Sequence, residues 1–146
     1  MTRVDRLDVV QQVADRNERE RAERLAEAER NAIEAEQKLV ALERYRNEYE
    51  EQLATRGAAG VEVSGIREFH AFLARLGEAL VAQRQVLSAA RATRDAVLIS
   101  WREAAQRAQV VQTLADRWQD EARRDDDRRD QRESDELAQR GVKNER

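Results

Sequence analysis

Cysteine and proline are absent from the 146 residues, and glycine occurs only five times. Without cysteine there is no disulfide and no thiolate for nucleophilic or metal chemistry. Without proline, nothing in the chain forces a helix to break. Aromatic residues make up 4% of the sequence, too few to fill the interior of a compact domain. Neither sign of charge dominates. The 27 basic and 30 acidic residues are interleaved, so no basic field exists to gather nucleic acid. No apolar run approaches the roughly 20 residues of a membrane span. The stretch Met1-Thr2-Arg3-Val4-Asp5 has no signal-peptide apolar core. These absences predict a cytoplasmic protein, still able to dock peripherally on the inner face of a membrane complex.

What remains is 39% charged residues and an apolar fraction rich in alanine, the composition of long helices with a narrow seam. The apolar spacing supports this. Val4, Leu7, Gln11, Ala14, Glu18, Arg21, Leu25, Ala28, Ala32, Ala35, Leu39, Leu42, Arg46, Tyr49 and Leu53 alternate steps of three and four without a slip. Ile66, Phe69, Leu73, Leu76, Leu80, Gln83, Leu87, Ala90, Arg94, Val97, Trp101, Ala104, Ala108, Val111, Ala115, Trp118 and Ala122 repeat the pattern. A seven-residue period held this long implies a left-handed coiled coil. Off the seam, Glu20 with Arg24 and Glu34 with Lys38 stand four apart in the favourable order, each adding about 0.2–0.5 kcal/mol.

The stretch TRGAAGVEVSG, residues 55–65, holds three of the five glycines. Gly57 and Gly60 suit a helix stop and reversal, and Ser64 a helix N-cap. The predicted fold is therefore all-α, a long two-helix antiparallel coiled-coil hairpin forming one domain over residues 1–146. Helix 1 covers about 4–54, the turn about 55–64 and helix 2 about 65–122. A turn near Ala59–Gly60 sets Leu53 near Ile66, Leu42 near Leu76–Leu80 and Ala14 near Ala104. Fifty helical residues would span about 75 Å. A parallel dimer with the glycines as a hinge is the rival arrangement. Residues 123–146 form a charged tail, either helical, frayed or disordered, in which Gly141 ends any helix.

Little here carries catalysis. His70 is the only histidine, beside Phe69 and off the seam, where it reads as a surface or interfacial side chain. No phosphate loop or HExxH motif occurs. The Asp125-Asp126-Asp127 run is bracketed by Arg123, Arg124, Arg128 and Arg129, which disfavours both metal and nucleic acid. A two-helix fold offers no cleft to perturb a carboxylate pair. The expectation is a protein that is not an enzyme, with no cofactor, no metal, no nucleic acid and no small-molecule substrate.

More informative are apolar residues beside the seam. Phe72 and Ala79 precede Leu73 and Leu80, and with Leu76 and Gln83 they form a ladder on helix 2. Val110 and Leu114 flank the other end with Trp101 and Trp118. Such residues either widen the intramolecular core or form protein-binding patches.

The order and spacing of LERYRNEYEEQL (42–53), the glycine-containing turn, FHAFLARLGEALVAQR (69–84) and SWREAAQRAQVVQTLADRW (100–118) resemble the FliJ family, small coiled-coil proteins of the bacterial flagellar export apparatus. The resemblance implies a hairpin like the stalk subunit of rotary ATPases. Its paired termini would enter the hexameric export ATPase ring and promote assembly and hydrolysis. Its other contact would be the cytoplasmic ring of the membrane export gate, with export chaperones as further partners. The gate-binding ladder falls on Phe72, Leu76, Ala79 and Gln83, the last a polar departure from the histidine expected there. The ATPase-facing set, carried over as a region, is Val4, Leu7, Val10 and Val13 with Val110, Leu114 and Trp118. The competing reading is a coiled-coil spacer, or the stalk adaptor of a virulence-type secretion system.

Overall fold

The computed structural model describes residues 2–60 and 62–145. Two helices account for almost all of them: α1 (Arg3–Ala58) and α2 (Val63–Asn144). The fold class is all-α, a helical hairpin. The chain divides into two compact units. The first joins Met1–Glu20 to Arg102–Arg146 and the second is Arg21–Trp101.

Thr2 starts α1. Its hydroxyl accepts the Asp5 backbone N–H at 3.2 Å, while the Asp5 carboxylate accepts the Thr2 hydroxyl at 2.8 Å and the Thr2 N–H at 3.0 Å. This reciprocal cap satisfies donors that the first helical turn leaves open.

The reversal is tighter than residues 55–64. Helix α1 continues through Gly57 to Ala58, because only Gly60, with φ of 85°, takes the left-handed conformation that breaks the ladder. The Ala59 N–H donates to the Thr55 and Arg56 carbonyls, closing the last turn. Helix α2 begins at Val63, with the Gly65 and Ile66 N–H groups donating to the Glu62 carbonyl. Glu62, not Ser64, is thus the residue at the helix mouth, and Ser64 lies in the first turn. Val61, inside the predicted turn, is outside the described residues.

In the Arg21–Trp101 unit the seam is buried as its period requires. Ala28, Ala32, Ala35, Leu76, Leu80 and Leu87 form the core, with Leu80 1% exposed. Leucines on α2 facing alanines on α1 let the two backbones approach closely. Two polar seam positions of this unit are satisfied across the pair. The Gln83 amide donates to the Ala35 carbonyl at 3.0 Å, and Arg21 to the Ser100 hydroxyl at 2.9 Å. Each such cross-helix pair is spaced about symmetrically around Gly60, which makes the helices antiparallel and fixes their register. One flank of the seam is charged, Arg84 reaching Glu43 at 3.8 Å and Arg91 reaching Glu36 at 3.6 Å.

The unit holding both termini has its own seam, with Leu7, Ala104 and Ala115 buried. Gln11 donates to Gln112 across it, and the Arg3 guanidinium lies 3.6 Å from the centre of the Trp118 ring. From Gln119 to Glu145 every residue is exposed, yet α2 persists to Asn144 and runs through Gly141. A glycine costs a helix about 1 kcal/mol relative to alanine. Its neighbours Leu137, Ala138, Gln139 and Arg140 are good helix formers, and pairs such as Arg123–Asp120 and Arg128–Asp125 add local support.

Candidate functional site

Two surfaces carry the predicted contact residues, one in each unit. In the Arg21–Trp101 unit, Tyr45 and Tyr49 of α1 meet Phe69 and Phe72 of α2. These are all the tyrosines and phenylalanines of the chain. Phe72 stacks on Tyr49 with ring centres 4.3 Å apart, and Tyr45 meets Phe72 edge-on at 5.9 Å. Phe69 packs on Tyr49 at 5.8 Å, with the Arg56 guanidinium 5.2 Å from its centre. The Tyr45 phenol is held above its ordinary pKa, chiefly by its hydrogen bond with Tyr49.

Against this cluster the predicted ladder divides. Leu76 is 6% exposed and belongs to the core. Phe72 is half-buried, presenting one edge, and Ala79 is exposed. Gln83 is half-buried and tied to the Ala35 carbonyl. The four residues share a side of α2, but the outward-facing part is Phe72 and Ala79. Tyr45, which the sequence reading left out, extends this surface onto α1. Its signal was its place immediately before the seam residue Arg46, equivalent to Phe72 before Leu73.

In the unit holding both termini, Val10, Val13, Ala14, Val110 and Val111 line an apolar groove of about 650 Å3, with Asn17, Glu103, Gln106 and Arg107 at its rim. Ala14 and Ala104 face it together, as the register predicts. A second hollow lies alongside, formed by Arg3, Arg6, Leu7, Val10 and Trp118. Val13 and Val110 are each 61% exposed. Val4, Val10 and Leu114 are also exposed, whereas Leu7 is buried and Trp118 half-buried under Arg3. The seven residues expected to face a partner are thus gathered in one unit, with Leu7 supporting the others from the core. Together these exposed valines make an apolar patch on an otherwise polar helix pair.

Among the described residues no group of three or more histidine, cysteine or acidic side chains is arranged to hold a metal, and no helix is long and apolar enough to cross a membrane.

Comparison with known proteins adds an independent line. The family model described as "Flagellar FliJ protein" matches residues 2–146. The chain is 34% identical to the Flagellar FliJ protein of Escherichia coli (strain K12), over 93% of this chain and 92% of the relative. It is 33% identical to the Flagellar FliJ protein of Salmonella typhi, with the same coverage of both chains. No solved structure matches it.

Proposed function

The chain belongs to the flagellar FliJ family, and on that premise we propose that it is a non-enzymatic stalk component of the flagellar protein-export apparatus. In this reading the unit holding both termini binds the hexameric export ATPase and promotes ring assembly and hydrolysis. The other unit binds the cytoplasmic ring of the membrane export gate through the surface at Phe72 and Ala79. The protein is then cytoplasmic and peripherally held at the inner membrane face beneath the flagellum, with export chaperones as transient partners.

The observation that carries the reading is the exposed valine groove formed by α1 and α2 within one unit. Burying apolar surface is worth about 25 cal/mol per Å2, so a partner that covers these valines gains affinity without disturbing the seam. The mechanism is linkage. A two-helix element with chemically different sides meets the subunits of a near-symmetric ring unequally. It stabilises the assembled ring and those nucleotide states it binds best, by its differential affinity for them. No residue of the chain needs to enter the chemistry.

The test is the hydrolysis rate of the cognate export ATPase with and without this protein, with hexamer formation followed by sedimentation. A several-fold rise together with more hexamer supports the reading. An unchanged rate with the folded chain present removes the ATPase-facing part of it.

A further inference from the structure

The two flanks of the unit holding both termini differ in charge as well as in polarity. The groove and its neighbouring hollow are rimmed by Arg3, Arg6 and Arg107, with Glu103 the one carboxylate among their lining residues. The opposite flank is acidic. A smaller hollow there is lined by Asp5 and Asp8 with Gln11 and Gln119, and no cation lines it. Asp116 extends this side, accepting a hydrogen bond from Gln112 at 3.0 Å. The seven-residue period accounts for the division. Residues just before each seam position, such as Val10 and Arg107, fall on one flank, and residues just after it, such as Asp5, Asp8 and Asp116, on the other.

Resting on the reading above, we propose that this unit grips the export ATPase through the groove flank alone, and that the groove takes an acidic segment of the ATPase carrying an apolar side chain. The valines supply an apolar floor open to a partner's side chains. The arginines hold the carboxylates around it, Arg107 of α2 lining the groove and Arg6 of α1 the adjoining hollow. An acidic segment is repelled by the Asp5, Asp8 and Asp116 flank, so the charges select which side docks. The Arg3 guanidinium, lying over Trp118, closes one end of the slot and keeps its charge at the surface.

The experiment measures binding of the full chain to the purified cognate export ATPase at low and high salt. It compares the wild type with two double variants of equal and opposite charge change: Arg6→Glu with Arg107→Glu, and Asp8→Lys with Asp116→Lys. All four positions are exposed, so circular dichroism should report the same helicity for each protein. The groove-flank variant is expected to lose affinity by tenfold or more, and the wild-type affinity to fall with salt. The opposite-flank variant should bind as well as the wild type, within about twofold. Equal losses from both variants, with the wild type binding, overturn one-sided docking but not the stalk reading. A wild type that fails to bind overturns both. Groove variants that change only the self-association of the chain place a second copy in the groove and also overturn the proposal.

Discussion

Phe72 stacks on Tyr49 at 4.3 Å with their ring planes 26° apart, joining α2 to α1 by a contact that is part core and part surface. Truncating Phe72 to alanine should therefore act twice. It should cost about 0.5–1.5 kcal/mol for the ring pairing alone, plus the lost burial, while helicity stays nearly unchanged. Gate binding should weaken together with it. Urea denaturation and binding to the gate's cytoplasmic domain read the two effects separately.

Leu76, on the same side of α2, is expected to behave otherwise. It is 6% exposed and packed in the seam, so Leu76→Ala should destabilise the protein by about 2–5 kcal/mol. Any loss of gate binding should then disappear at a temperature low enough to keep the variant folded. A stable Leu76→Ala variant that fails to bind would place this side chain at the surface instead.

Arg21 and Ser100 should be energetically coupled. The guanidinium donates to the hydroxyl at 2.9 Å across a half-buried seam, where hydrogen bonds to charged groups contribute up to about 1.5–3 kcal/mol. Partial exposure reduces this, and a double-mutant cycle with alanine at both positions should return about 1 kcal/mol of coupling. Additive losses would mean that Arg21 acts through its other contacts alone.

The cap at the start of α1 has a pH signature. Hydrogen bonds from the Thr2 hydroxyl and backbone N–H hold the Asp5 carboxyl below its ordinary value of 3.8. The depressed value belongs to the folded state, so the cap's contribution is complete above the unfolded value. It is lost as pH falls through the folded one. NMR titration should show Asp5 protonating below 3.8 in the wild type and shifting up in Thr2→Ala. The first-turn amides should lose protection over the same acidic range.

These expectations separate what the sequence makes legible from what it does not. The seam was readable along most of its length, because a seven-residue period keeps one face inward, although its end members Val4 and Ala122 are exposed. Even its polar members, Gln11, Arg21 and Gln83, turned inward as the period demanded. The turn length was less accessible. Gly57 and Gly60 both suit a helix stop, but of the two only Gly60 takes a positive φ, and residue type alone does not distinguish them. The aromatic cluster was half visible. Phe72 before Leu73 and Tyr45 before Arg46 hold equivalent places beside the seam, but their meeting runs across two segments and follows only from antiparallel pairing. The charge difference between the flanks at Val10 and Asp8 likewise appears only once antiparallel pairing brings α1 and α2 together.

The charged extension should be dispensable for stability. Among the described residues none beyond Trp118 is buried, and the extension's ion pairs are exposed, each worth about 0.2–0.5 kcal/mol. A chain ending at Gln119 should lose helical signal in proportion to the residues removed and keep its melting temperature within a few degrees. High salt should reduce the helicity of the full chain more than that of the shortened one, by circular dichroism.

The most direct test of the account is whether one chain joins two machines. The assembled export ATPase is immobilised, and retention of the gate's cytoplasmic domain is measured with and without this protein. The account predicts gate retention that requires the chain, is lost in Phe72→Ala, and is lost with Arg6→Glu and Arg107→Glu. Gate and ATPase competing for the same chain, each displacing the other, would contradict it.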